Sequence, residues 1–243
     1  MVKIEYILTN NSSIEYHFIS AVKSNSISVI IPCVSYHAHL LSNLLNILKY
    51  QTLAPKEVII SLSSVKKITA DRLTKIRALE THVFPFALKI LYHDEDVWAA
   101  GNKNRAAEIA TGEILVVQDA DDIPHIQRLE VIKYFFDKYD ILHLCHGYQI
   151  RYLPKMINHN VYKLISFNKW VNKKKISFMY CTEENRRSIR ITNGEIAIKK
   201  TVWMDYKWNE GRRIGEDTNY NRFIEIKYNK TIYLNYCLMI YNK

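Results

Sequence analysis

Between residues 27 and 139, four short apolar runs alternate with helical patterns, and this alternation limits the fold more than any other feature of the chain. ISVIIP (27–32), EVIISL (57–62), LKILYH (88–93) and EILVVQD (113–119) read as strands. Between them, HAHLLSNLLNILKYQT carries apolar residues at 40, 41, 44, 45, 47 and 48, the spacing of one helix face. TADRLTKIRALE (69–80), the Ala-rich GNKNRAAEIA (101–110) and IQRLEVIKYFFDKY (126–139) read as further helices, and ILHLCHGYQI (141–150) closes the series. Strands and helices in alternation imply βαβ units, hence a mixed, mostly parallel sheet flanked by helices on both faces. Right-handed crossovers then put ligands outside the carboxyl ends of the strands. Residues 151–200 are polar, basic and irregular, which predicts a surface region rather than a second domain.

A length of 243 residues suits one large α/β domain, expected over 27–243 with residues 1–26 as an N-terminal extension packed on it. No apolar run reaches the roughly 18–20 residues of a membrane span. The opening MVKIEYILTNNSSIEYHF lacks the apolar stretch of a secretory signal, so a cytoplasmic protein is expected. Cys33, Cys145, Cys181 and Cys237 form no C-x-x-C pair, so neither a disulfide framework nor a zinc site is indicated. The net charge of +10 favours anionic partners, including contact with acidic surfaces, and is densest at KKK (173–175), RR (186–187) and RR (212–213). Six glycines leave no room for a Gly-rich phosphate loop.

EILVVQDADDIPH sets Asp119, Asp121 and Asp122 directly behind a buried strand. Three carboxylates in four residues repel one another unless a cation, a donor or solvent accommodates them. Asp119 and Asp121 can both reach one side of a turn, and paired hard oxygens suit Mg²⁺ or Mn²⁺ completed by phosphate oxygens. Asp122 is read as a cap for the helix after Pro124. In RRIGEDTNYNRF (212–223), Glu216 and Asp217 stand at a helix start, where a carboxylate either caps the helix or takes a proton from a hydroxyl.

With these pieces the chain resembles the GT-A glycosyltransferases of family 2, inverting enzymes that use nucleotide-sugars. The resemblance runs from about residue 27 to 241 through ISVIIP, LLSNLLNILKYQTLAPKEVIIS, AAGNKNRAAEIATGEILVVQDADD, GEDTNYNR and TIYLNYCLMIYN, the last similar to a closing strand pair. It implies that residues 27–150 bind the nucleotide-sugar donor and 151–243 the acceptor. It further implies a site for the donor at Pro32, Ser61, Ser63, Asp96, Asn104, Arg105, Asp119, Ala120 and Asp121. Asp119 and Asp121 would hold Mn²⁺ or Mg²⁺, with Asp217 as general base and Glu216 its neighbour. Trp203, Trp208 and Arg222 would meet the acceptor, whether glycan, protein or lipid-linked.

One departure stands out: SLSS (61–64) puts Leu62 where the family carries a base-reading acid, so recognition passes to Ser61, Ser63 or Asp96. His125 is expected on a helix surface, and strand alternation separates His143 from His146. Three other readings stay open. A degenerate nucleotide-sugar binder fits the loss at Leu62, and a haloacid-dehalogenase-type phosphohydrolase also uses D-x-D after a strand. A basic nucleic-acid-binding domain would explain the charge but leaves three clustered acids without a use.

Overall fold

Side-chain alternation divides the core in two. Along β3 (Ile27–Val34), Ile27, Val29 and Ile31 enter one apolar cluster and Ile30 the other. Along β4 (Glu57–Ser63), Val58, Ile60 and Leu62 part from Ile59 in the same way. A strand buried on both faces needs a helix layer on each side. The computed structural model, which describes residues 6–8, 14–16, 26–151, 171–182 and 193–242, has both layers. Helices α1 (Leu41–Lys49), α2 (Ala70–Ala78) and α4 (Arg128–Lys138) cover one face. Helices α3 (Ala99–Ile109), α5 (Lys200–Asp205) and α6 (Glu216–Tyr228) cover the other.

The main sheet runs β5 (Ala87–Tyr92), β4, β3, β6 (Ile114–Val117), β10 (Ile196–Lys199), β8 (His143–Arg151), β11 (Thr231–Asn242), β7 (Ile123–Pro124), with β9 (Phe178–Tyr180) also on β11. Strands β5, β4, β3 and β6 pair in parallel, as do β8 and β11; β10, β7 and β9 run against their neighbours. The mixed, mostly parallel sheet expected from the alternation is therefore present. Separately, β1 (Tyr6–Leu8) and β2 (Ile14–Tyr16) pair antiparallel.

Two features depart from expectation. Strand β10, only four residues inside the polar region, inserts between β6 and β8 and separates two elements consecutive in the helix–strand series. Instead of a closing strand pair, β11 is one long strand with register shifts between Leu234 and Met239. Those irregularities let its outer edge serve β9 through 232–234 and then β7 through 239–240.

The amino ends of the strands are tied by one carboxylate. Glu57 accepts from Ser28 Oγ at 2.7 Å, Thr111 N at 2.6 Å, Thr111 Oγ1 at 2.8 Å and Lys89 Nζ at 2.8 Å. Gly112 seals the same corner: its N–H donates to Ser28 Oγ, and a Cβ there would lie 2.6 Å from the Ser26 carbonyl. Burial opposes ionisation of Glu57, but Lys89, Thr111 and Ser28 outweigh it and hold the carboxyl down at about 2. The folded value is below the ordinary one, so this contribution to stability is complete above about 4.5 and is lost as pH falls toward about 2. Glu57→Gln is expected to lower the melting temperature at neutral pH and to flatten the loss of stability between those two values. Thermal melts of both proteins across that acid range provide the check.

Candidate active site

Strand β6 ends at Val117, and the next five residues turn sharply under several restraints. Arg128, 1% exposed, donates to Val117 O at 2.9 Å, Gln118 Oε1 at 2.7 Å, Gly194 O at 2.5 Å and His146 Nε2 at 2.9 Å. The Gln118 amide donates to the carbonyls of Asp119 and Asp122. From the end of β11, the Asn242 side chain donates to Asp121 O and its N–H to Asp122 Oδ1. Ala120 is buried in the core below. The turn is thus held by its backbone, leaving the Asp121 side chain about one-third exposed and that of Asp119 more withdrawn.

Asp122 does something else. It is 2% exposed, and α4 starts later, with Gln127 at the cap position making no side-chain cap bond. The capping role is therefore corrected: Asp122 is an interior residue joining the turn to β11. Burial, with repulsion from Asp119 and Asp121, pushes its carboxyl well above the usual carboxylate range. His125 is likewise no helix-surface residue. It is 1% exposed, and its Nδ1 accepts from Gln127 N. His146 receives Arg128, while His143 lies on the opposite face of β8 with Cys145, as alternation predicts.

Helix α3 packs Ala100, Ala106 and Ala107 on the sheet, and the same face carries Lys103, which is completely buried. Lys103 Nζ donates to Glu216 Oε1 at 3.2 Å and lies 5.3 Å from the Trp208 ring centre. Glu216 and Asp217 open α6 behind Gly215, whose φ of 71° admits the sharp entry that a side chain would strain. Asp217 Oδ1 accepts from Thr218 N. Asp119 feels all of these groups. Burial pushes its carboxyl up to about 7; Lys103 opposes the rise, while Asp121, Asp217 and Glu216 add to it. Asp119, Asp121, Glu216 and Asp217, named from sequence, therefore share one locus with Lys103 among them. His37, in the turn after β3, joins its rim with Nε2 3.8 Å from Asp121 Oδ2.

Other expected residues fall elsewhere. Ser61 and Ser63 are fully buried and bound by Asn102: Ser61 Oγ donates to its Oδ1 at 2.8 Å, and its Nδ2 donates to Ser63 Oγ at 2.9 Å. Both hydroxyls are taken up inside the fold. Leu62 is a core residue on the face covered by α1. The Asn104 amide accepts from Trp203 Nε1 and Trp208 N and donates to Trp208 O and Glu210, so it ties α3 to residues 203–210. Trp203 and Trp208 are 3% and 2% exposed, so neither offers a face to an acceptor; Trp208 stacks on Tyr220 instead. Pro32 is buried in β3 beside Ser61. Asp96 is exposed, and Lys67 and Ser64 hold its carboxyl below the usual range. Arg105 is 3.7 Å from Glu95. Arg222 lines an open pocket of about 370 Å³ with Tyr206, Asn209, Arg212, Glu216 and Asn219.

Sequence reading missed Lys103, Asn102 and Arg128. A signal existed for Lys103, which stands three and four residues before Ala106 and Ala107 and so on the sheet-facing side of α3. Arg128 carries none, because its partners come from β6, β8 and the segment before β10.

The sequence signature of Glycosyl transferase family 2 matches residues 28–189. No curated protein matches the sequence. Among solved structures, S. aureus TarS 1-349 in complex with UDP superposes with a TM-score of 0.67 at 18% identity, over 89% of this chain and 60% of that one. The same protein with UDP-GlcNAc gives the same score and identity. The mannosyltransferase PcManGT from Pyrobaculum calidifontis, in complex with GDP-Man and Mn²⁺, gives 0.57 at 18% identity over 92% of this chain and 59% of that one. At such identity the likeness concerns the fold, and the chain spans about three fifths of each of these proteins.

The buried pair between Lys103 and Glu216 is the most open to test by mutation. Lys103→Met keeps length but strands the Glu216 carboxylate, and a loss of about 3–5 kcal/mol in urea unfolding is expected. Adding Glu216→Gln should recover part of that loss. A double mutant no more stable than Lys103→Met would mean the two side chains are not coupled.

Proposed function

The chain belongs to glycosyl transferase family 2 and has the GT-A fold, and from that premise we propose that it transfers a sugar from a nucleoside-diphosphate sugar to an acceptor hydroxyl, with inversion. One observation carries this reading: carboxylates from the end of β6 and the start of α6 meet around a single buried ammonium. Two pairs of acids from distant parts of the chain, serving different ends of one reaction, explain why their repulsion is tolerated. In this reading residues 27–150 form the donor part and 151–243 the acceptor part.

Asp119 and Asp121 fit a divalent cation, Mn²⁺ or Mg²⁺. Both are hard oxygen donors on one turn, with Asp217 and Glu216 close enough to add their repulsion to it. Bound there, such a cation supplies Lewis-acid stabilisation to a departing diphosphate. Asp217 serves as general base. One of its oxygens is oriented by Thr218 N–H, which leaves the other to receive the acceptor's proton. Glu216, held by Lys103, orients the acceptor from the wall of the 370 Å³ pocket, with Arg222 beside it. With Ser61 and Ser63 turned inward, recognition of the nucleobase falls to the turn around Tyr36 and His37 and to Asp96. The four clustered acids would repel nucleic acid, so a nucleic-acid partner is not part of this reading.

A non-catalytic binder is the second reading, favoured by Leu62 in the core. Calorimetry with uridine and guanosine diphosphates and their sugars tests donor binding. Affinity should appear with Mn²⁺ and fall on adding EDTA or making Asp121→Asn. Equal binding in all three conditions would remove the metal assignment.

Turnover distinguishes the two readings. Asp217→Asn should lower transfer roughly a hundred- to ten-thousand-fold while donor affinity and melting temperature stay near those of the parent. A parental rate in the Asn variant would sink Asp217 as base, and binding without any turnover in the parent would leave the binder.

A further inference from the structure

Beneath the C-terminal half of α6 lies a second group of ligand-type side chains, which the transfer reaction does not use. His143 and Cys145, two apart on β8, point to the same face of the sheet. Helix α6 packs on that face through Tyr220 and Ile224, and it lowers Glu225 onto the pair. One ligand atom from each of His143, Cys145 and Glu225 lies within 4.8 Å of the other two. His143 Nε2 and Cys145 Sγ are already 3.4 Å apart, close to the edge of a tetrahedron built on metal–ligand bonds of about 2.0–2.3 Å. His143 and Cys145 are completely buried and Glu225 is 5% exposed.

We propose that His143, Cys145 and Glu225 form a structural zinc site that fastens α6 to the sheet. An imidazole, a thiolate and a carboxylate are the donors zinc prefers, and together they discriminate against the oxygen-seeking Mg²⁺. The imidazole is already turned toward the other donors, because its Nδ1 faces Thr231 Oγ1 at 3.2 Å and this directs Nε2 at the thiol. Cys181, 2% exposed, lies beyond β11 and is not one of the three grouped donors. Its N–H bonds to Thr231 O at 3.0 Å. Ile196, Ile198 and Ile224 pack around the group, and the buried Asn221 and Glu195 side chains also face it. Glu225 stands nine residues beyond Glu216, roughly 13 Å along the helix, so this site is separate from Asp119 and Asp121.

The zinc content of dialysed protein from zinc-supplemented cells tests the proposal without an activity assay. About one equivalent per chain is expected, retained in Asp121→Asn and lost in Cys145→Ala. Cobalt introduced in its place should give a thiolate-to-metal charge-transfer band in the near ultraviolet, which carboxylates at the donor site cannot produce. Should Cys145→Ala fail to fold, the cobalt spectrum of the parent decides alone. Folded parent protein with under roughly a tenth of an equivalent of zinc and no cobalt–thiolate band would overturn the proposal. Undiminished zinc in a folded Cys145→Ala variant would do the same. Either result leaves the assignment of Asp119, Asp121 and Asp217 untouched.

Discussion

Like charge at the end of a buried strand is the constraint around which this molecule is arranged. Asp119, Asp121 and Asp122 follow Val117 with almost no room to separate, and Glu216 and Asp217 approach from α6. The fold meets this in three ways. Arg128 and Lys103 supply two buried positive charges, one under the turn and one between the two groups of acids. Asp122 turns inward, where burial and the neighbouring acids push its carboxyl toward the neutral form. Asp121 keeps its side chain about one-third exposed, while Asp119 lies deeper beside Lys103.

Each solution costs stability. An ammonium with no exposed surface and a guanidinium that is 1% exposed both forfeit hydration, and hydrogen bonds and paired charges recover only part of it. Four bonds from Arg128 and the ion pair of Lys103 are what make such burial possible. Replacing these groups by apolar ones of equal size is a common route to greater stability in other proteins. Here that exchange would remove the charges that let several carboxylates gather at one point. Strain of this kind collects where a protein works on a charged ligand.

The rest of the architecture keeps that locus rigid. Glu57 and Gly112 close the amino ends of β3, β4 and β5 far from the acids. Helix α6 is held at its start by Lys103 and lies at its other end over His143 and Cys145, so the carboxylates it presents have a fixed position relative to β6. Asn104, by gathering two tryptophans and Glu210, anchors the chain leading into α6. Several residues that look like ligand contacts in the sequence thus pack as supports around the clustered acids.

Periodicity was enough to read the layered sheet, because apolar alternation and helical spacing are local properties of contiguous residues. The acids were legible for a related reason: Asp119 with Asp121, and Glu216 with Asp217, are close neighbours in the chain and conspicuous beside their elements. What the sequence could not decide was which polar side chains face inward. Ser61, Ser63, Asn104, Trp203 and Trp208 carry ligand-binding chemistry, yet each is consumed by a partner supplied from another element. Asp122 differs from Asp121 only in pointing to β11 rather than outward, an outcome set by Asn242 at the far end of the chain. Strand β10 is too short to announce itself and exists because β6 and β8 leave a slot for it. Cys145 and Glu225 meet only because α6 crosses β8, 80 residues on. Local pattern therefore determined the layers and the positions of the acids. Long-range packing decided which groups stay free to act, since burial and partnership are properties of the assembled fold.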